Sequence, residues 1–234
     1  MSAIPQQLDA RGFAIVDGPL LSPEQLTELE RLAASAQPGE GGQRNLLDLP
    51  EIQALANSGP LCRLVESLVG PKPFAVRAIL FDKTPDANWK VAWHQDLTIA
   101  VLERLEVEGF GPWSTKAGVI HVQPPAEYLD EMLAVRLHLD ECGPNNGPLR
   151  VLPGSHRAGK IPEDQIPALR RQQTEEVCCV PKGGAIFMRP LLLHASSPAA
   201  VPAHRRVIHI EYASRSLPDG LRWRWHGTSA VCAA

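Results

Sequence analysis

The densest chemistry in the sequence sits in Trp93-His94-Gln95-Asp96. In an extended segment, residues two apart project to the same side. His94 and Asp96 therefore aim an imidazole nitrogen and a carboxylate oxygen at one point. The same pair also suits a plain structural Asp–His hydrogen bond, and a metal at that point needs a further ligand from elsewhere. Of the histidines at 94, 121, 138, 156, 194, 204, 209 and 226, His194 is the best candidate. It closes the apolar run Leu191-Leu192-Leu193 and precedes the small, loop-like Ala195-Ser196-Ser197-Pro198. That is the position of a ligand at a strand end, at the mouth of a cavity. Two His and one carboxylate form the facial triad that holds Fe(II) in non-haem oxygenases, with coordination positions left open.

Two further motifs join this one: Asn145-Asn146-Gly147-Pro148-Leu149-Arg150-Val151-Leu152-Pro153-Gly154-Ser155-His156, and His194-Ala195-Ser196 with Arg205 downstream. Together they resemble the phytanoyl-CoA dioxygenase family, a branch of the Fe(II)/2-oxoglutarate oxygenases. The resemblance runs from Phe74 to Tyr212. It implies a double-stranded β-helix, a jelly-roll relative of the cupins, with iron on His94, Asp96 and His194. It also implies 2-oxoglutarate as cosubstrate with O2. Arg205 follows His194 at the family's spacing and would grip the distal carboxylate through its guanidinium fork, assisted by the Ser196 hydroxyl. Arg206 is the rival, but alternation puts the two arginines on opposite faces. The implied reaction is hydroxylation of a small molecule with release of succinate and CO2. Related halogenases lack the carboxylate that Asp96 supplies, which argues for hydroxylation.

One departure from the family pattern concerns Val135-Arg136-Leu137-His138-Leu139-Asp140, where many relatives carry an aromatic residue. Arg136 and His138 share a face. If that face lines the barrel, Arg136 contacts 2-oxoglutarate or an anionic substrate; otherwise the face is solvated. Arg44 in Gly41-Gly42-Gln43-Arg44-Asn45 stands where the family has a basic residue contacting the cofactor, or is a surface-loop arginine. His156 reads as a turn and packing element, His138 as a satisfied strand histidine and His204 as exposed. His121 and Gln123 have a small chance of reaching a substrate. Trp93 reads as barrel wall. Trp223, Trp225 and His226 belong to a tail that docks on the domain or a dimer partner.

The elements that must position these groups are legible in outline. A short strand spans 12–16. Ser22-Pro23-Glu24-Gln25 is a capping box opening a helix in which Leu26, Leu29, Ala33 and Ala36 repeat, with Pro38-Gly39 as its stop. Further helices are expected over 50–57 and 61–69. From Phe74 on, short apolar runs alternate with turns: 74–81, 119–122, 132–139, 149–152, 177–180, 185–188 and 207–212. A helical insertion is expected over 161–173. The stretch 103–125 is long and poor in pattern, a candidate lid or an irregular surface loop.

The 22 prolines and 18 glycines of the 234 residues suit a loop-rich, mainly β fold (α+β). One domain is expected over 1–234, with helices to 73, a β-helix core over 74–214 and a tail over 215–234. A net charge of -3 without a basic block excludes nucleic acid and anionic membrane as natural partners. No signal peptide or membrane span is readable. Five scattered cysteines read as reduced thiols in a cytoplasmic protein, monomeric or homodimeric. The alternative function is a non-catalytic metal-binding jelly roll.

Overall fold

The computed structural model describes residues 3–35 and 42–225. The N-terminal part contains α1 (Ala3–Arg11), β1 (Phe13–Val16), α2 (Pro23–Ser35), α3 (Pro50–Ala56) and α4 (Gly59–Val69). The α2 capping box forms as expected. Ser22 N–H donates to Gln25 Oε1 at 2.9 Å, and Gln25 N–H donates to Ser22 Oγ at 3.2 Å. Leu29 and Ala33 are its buried residues. The expected stop at Pro38-Gly39 lies outside the described residues.

The strands and helices that follow are β2 (Phe74–Lys83), β3 (Val91–His94), β4 (Ile99–Val101), β5 (Trp113–Lys116), β6 (Val119–Val122), α5 (Ala126–Asp130), β7 (Leu133–His138), β8 (Leu149–Val151), α6 (Ile166–Gln172), β9 (Glu176–Cys178), β10 (Ala185–Met188), β11 (His194–Ser196) and β12 (Arg205–Ala213). All pairings are antiparallel. A five-stranded sheet runs β1-β10-β7-β12-β2, a four-stranded sheet β3-β11-β8-β9, and a smaller sheet β4-β6-β5. The fold is a double-stranded β-helix with helices packed on one side.

Strand alternation gives the five-stranded sheet two unlike faces. Leu80, Val135, Leu137, Phe187, Ile208, Ile210 and Tyr212 pack against Leu29, Leu47, Ile52, Leu55, Leu61 and Val65 of the helical part. Burying each such side chain contributes about 1.5–3 kcal/mol, enough to fix the helices on that face. The opposite face carries Arg77, Lys83, Arg136, His138, Arg205, His209 and Glu211, all buried. An apolar plug of Phe13, Leu149, Val151, Ile186, Met188 and Leu192 closes one end of the space between the sheets. The other end is a polar cavity.

Three expectations need correction. The stretch 103–125 is not a free loop: β5 and β6 form a hairpin that pairs with β4. Val107, Phe110, Val119 and Val122 are buried there. Trp113-Ser-Thr-Lys116 has one apolar residue, too few to read as a strand. His194 does not end a strand over 191–193 but opens β11 after a turn. The thiols of Cys142, Cys178 and Cys179 are free as expected, whereas Cys62 is disulfide-bonded.

Residues 215–225 of the tail dock on the domain: Trp223 bridges Val101 through the backbone, and Trp225 Nε1 donates to Asp48 Oδ1 at 2.8 Å. Within the tail, Trp223 Nε1 donates to Arg215 O at 2.9 Å; His226 lies outside the described residues. No helix among the described residues is long and apolar enough to cross a membrane.

Candidate active site

Antiparallel pairing brings the distant ligands together. His94 at the end of β3 stands opposite His194 at the start of β11 in direct register. Asp96 lies just beyond β3, where its backbone N–H donates to Pro190 O at 2.9 Å. Gln95 points the other way, as alternation requires. Its amide donates to Leu191 O at 2.6 Å and to Gly159 O at 2.8 Å, and its Oε1 accepts from Ile161 N–H at 2.8 Å. The middle residue of the motif thus locks the two segments that flank its neighbours. Ser155 of the Pro-Gly-Ser-His turn adds a further clamp, accepting the Leu193 N–H at 2.9 Å.

One ligand-capable atom from each of His94, Asp96 and His194 lies within 4.8 Å of the others. In both imidazoles Nδ1 sits 2.8 Å from the backbone carbonyl two residues upstream, Ala92 O and Leu192 O. A proton donated there leaves Nε2 as the lone-pair atom facing the centre. The two Nε2 atoms stand 3.8 and 3.7 Å from the Asp96 carboxylate oxygens. Two ligands about 2.1 Å from one ion are at most about 4.2 Å apart, so both His–Asp separations suit a shared cation. Burial, with His94 beside it, drives His194 down to about 3. Burial alone would raise the Asp96 carboxyl, but His194, His209, His94 and Arg77 outweigh it and hold it below the usual range. A neutral imidazole at His194 and an ionised carboxylate at Asp96, with the His94 Nε2 turned to the same point, make a donor set suited to a divalent ion.

Behind Asp96 lies a second cluster, Asp96, His209 and Glu211. Here the ligand atoms are already in use. Glu211 forms a buried ion pair with Arg77. His209 places Nε2 3.1 Å from Glu211 Oε1 and Nδ1 3.2 Å from an Arg136 nitrogen. This is a charge-compensated network, not a second metal site.

Two basic groups flank the His94–Asp96–His194 cluster. The deeper one is built on strands. Arg205 donates to Gly147 O and, at 3.2 Å, to Ser196 Oγ. Ser196 donates to Gly147 O at 2.9 Å, and Lys83 Nζ donates to Ser196 Oγ at 2.8 Å and to Ser197 O. Gly147 has φ +60, and a Cβ there would come within 2.8 Å of Ser197 O; the Asn-Asn-Gly turn needs its glycine. Arg136 stacks over Phe81 at 5.2 Å. The Nε atoms of Arg205 and Arg136 have no hydrogen-bond partner among the described residues. Burial, then repulsion from Arg205 and Arg136, lowers Lys83 to about 7. Burial and Arg205 lower Arg136 to about 10.

The second group is Arg44, on a loop, and Lys116, at the end of β5; both are half-buried. His94, Asp96, His194, Ser196, Arg205, Arg136 and Arg44 all line one cavity of about 420 Å³, with Lys116, Gln123 and Trp89 also in its wall. That size is within the range of about 300–1,000 Å³ usual for small-molecule sites.

Other histidines sit elsewhere. His138 shares the inner face with Arg136 but lies apart from the cavity wall, and burial pushes it down to about 3. His121 is buried and pushed down by burial to about 4. His204 is exposed and pairs with Asp82 at 2.9 Å. His156 packs over Gly12, with Nε2 3.2 Å from Asp9 O. Arg206 points outward to Asp140, making contacts of 2.6–2.9 Å. Sequence reasoning missed Lys83, Arg77, His209, Glu211 and Lys116. For four of them a signal existed: Arg77 and Lys83 share parity on β2, and His209 and Glu211 share parity with Arg205 on β12.

A jelly roll with two His and one carboxylate gathered in a cavity between its sheets defines the class of protein. A family model described as phytanoyl-CoA dioxygenase (PhyH) matches residues 8–207, and the chain belongs to that family. The peroxisomal phytanoyl-CoA dioxygenase of Homo sapiens is 24% identical over 170 residues, covering 66% of this chain and 43% of its own length. The chain thus spans less than half the length of that relative. Among solved structures, AviO1 from Streptomyces viridochromogenes Tue57 is similar at 26% identity and TM-score 0.65, with 93% of this chain and 96% of that one covered. EctD from S. alaskensis, solved with 2-oxoglutarate and 5-hydroxyectoine, shares the fold at 18% identity and TM-score 0.66, over 90% of this chain and 74% of its own.

Proposed function

We propose that this chain is an Fe(II)- and 2-oxoglutarate-dependent dioxygenase that hydroxylates a small molecule with release of succinate and CO2. The observation that carries the reading is the convergence of His94, Asp96 and His194 in the same cavity as Arg205 and Ser196. Family membership supports it, as does the shared fold with EctD, which binds 2-oxoglutarate.

His94 and His194 would offer Nε2 and Asp96 a carboxylate oxygen to Fe(II). Bound iron, 2-oxoglutarate and O2 supply the oxidising power for C–H hydroxylation, while the polypeptide binds, orients and shields them. Arg205 holds guanidinium donors in a buried position and presents them to the distal carboxylate of 2-oxoglutarate. Ser196 fixes Arg205 against the Gly147 carbonyl. Lys83 and Arg136 add positive charge around the same carboxylate. His194, His209 and Arg77 favour the ionised Asp96 carboxylate.

Anaerobic addition of Fe(II) and then 2-oxoglutarate tests this directly. The metal-to-ligand absorption band is expected in the parent protein and absent from His194→Ala. A parent protein that develops no band and shows no calorimetric affinity for 2-oxoglutarate would sink the reading.

A further inference from the structure

Resting on the reading above, we infer that Gln123, together with Thr98, determines substrate specificity: the pair takes an uncharged group that both donates and accepts hydrogen bonds, a hydroxyl or a carboxamide. Both residues line the cavity that holds His94, Asp96 and His194. They reach it from neighbouring strands of the small sheet. Ile99 of β4 pairs with Val122 of β6. One step further along that antiparallel register, Thr98 stands opposite Gln123. Side chains opposite one another across such a pair share a face, with Cβ atoms roughly 4.5–5.5 Å apart. One small ligand group can therefore touch both. Thr98 also follows Asp96 by two residues. Two residues of backbone span at most about 7 Å, which sets the pair beside the iron ligands.

The backbone is held at both positions. Gln123 N–H donates to Pro112 O at 3.2 Å, and Gly111 N–H donates to Gln123 O at 2.9 Å. Pro124-Pro125 follow directly, and a proline restricts the residue before it as well as itself. Thr98 O accepts from Arg77 Nη1 at 3.4 Å, and Thr98 Oγ1 accepts from Lys116 Nζ at 2.7 Å. An ammonium on that oxygen leaves the hydroxyl proton as a free donor.

What the Gln123 side chain lacks is a partner. The residue is half-buried, yet its amide makes no hydrogen bond among the described residues. Gln95, in the same wall, is the contrast: its amide makes three bonds to backbone and is used up in holding the fold. The Gln123 amide is held in place and unused. It carries two N–H donors and an acceptor oxygen, and Thr98 adds a donor beside it. A hydroxyl or carboxamide satisfies both kinds of group. A carboxylate has no proton to give the amide oxygen, and an apolar group leaves all of them unpaired. A site built to hydrogen-bond its substrate rejects the analogue that lacks the bonding group more strongly than an apolar wall rejects a change of size.

The test uses protein loaded anaerobically with Fe(II) and saturating 2-oxoglutarate, titrated with propionamide, propane-1,2-diol and propionate. Binding is read by calorimetry and by perturbation of the absorption band. At least one neutral probe is expected to bind, at about ten millimolar, and more tightly than propionate. Gln123→Leu keeps the bulk of the side chain without its amide and should weaken that probe about tenfold. Gln123→Glu keeps the shape but not the donors and should weaken it as much. Thr98→Val should cost about fivefold, and Thr98→Ser should restore the binding. The affinity of 2-oxoglutarate should stay within about twofold in every variant. The better neutral probe tells hydroxyl from carboxamide. The inference is overturned if neither neutral probe binds, if propionate binds more tightly than both, or if neutral-probe binding survives Gln123→Leu or Gln123→Glu. It is also overturned if Gln123→Leu weakens 2-oxoglutarate as much as the probe. Should Gln123→Leu fail to fold, Gln123→Glu and the two Thr98 variants carry the test. Failure of the dioxygenase reading looks different: the unaltered protein then takes up no 2-oxoglutarate at all.

Discussion

The two basic groups of the cavity are made of the same side-chain types and held in opposite ways. Arg205, Lys83 and Arg136 stand on three neighbouring regions of the central β framework and are almost wholly buried, with Arg205 only 3% exposed. Arg44 stands on a loop and Lys116 at the end of the short outer strand β5, and the two segments are joined by a side-chain hydrogen bond from Asn45 to Ala117 O. Strand-borne cations are fixed to within the tolerance of a ladder, as recognition of one invariant dicarboxylate requires. A cation on a loop and one at the tip of an outer hairpin leave more room for change than the central sheet does. Between the groups sits Arg77, whose charge is cancelled by Glu211.

That cancellation offers the largest effect with which to break the comparison. Glu211→Gln would leave the Arg77 guanidinium buried without its counter-charge, facing Arg44 and Lys116. Removing one partner of a buried pair costs about 3–5 kcal/mol, so urea unfolding should show a loss of that size. Replacing both partners with apolar residues, Arg77→Met with Glu211→Leu, should cost less than the single change. If the single change proves neutral, Arg77 is solvated, and the two groups merge into one continuous field.

The next effect belongs to the deep group. Arg205→Ala should weaken 2-oxoglutarate by about 3 kcal/mol, roughly a hundredfold, because it removes a desolvated charged partner. Isothermal titration measures the loss.

Much of this contrast was legible in the sequence for the deep group and little for the shallow one. His94, Asp96, His194, Ser196 and Arg205 lie on strands or at strand ends, where a period of two and a motif fix direction. Arg136 was legible as a fork, inner face or solvent, and burial decides it. His209 and Glu211 were readable from the same alternation as Arg205, but a mixed run of polar and apolar residues hides which face is inside. Lys116 was out of reach, because β5 has too few apolar residues to read as a strand. For Arg44 the sequence offered a family position without a partner. The residue after it, Asn45, contacts Ala117, 72 residues away, which carries no polar side chain to announce the contact. The helix over 3–11 left no periodic trace, and the capping box of α2 was plain because its signal is wholly local.

A smaller effect sharpens the deep group from within. Lys83→Met should weaken 2-oxoglutarate about tenfold, because it removes a nearby charge and the ammonium that holds Ser196. It should also change the pH dependence. The Lys83 ammonium of the free protein sits at about 7, lowered first by burial, and a bound carboxylate raises it by favouring the charged form. Affinity is then greatest below about pH 7 and falls as pH rises through that value, by up to about tenfold per unit. With Fe(II) kept saturating, Lys83→Met should flatten this limb between about pH 7 and 8.5. A parent and variant with parallel profiles would mean that Lys83 stays charged, or stays neutral, throughout.

The smallest effect concerns the link that makes the shallow group a group. Asn45→Gly keeps the left-handed backbone available, since glycine adopts φ 61 without penalty, yet removes the donor to Ala117 O. The lost bond is worth about 1 kcal/mol. Unfolding stability should fall by about that amount, read by urea denaturation. Asn45→Asp separates register from backbone in the other direction: it tolerates the same φ but sets a carboxylate where Ala117 O needs a donor. An unchanged stability in both variants would show that the bridge from Gln43 to Leu80 suffices to place Arg44. The shallow group would then be as firmly built as the deep one.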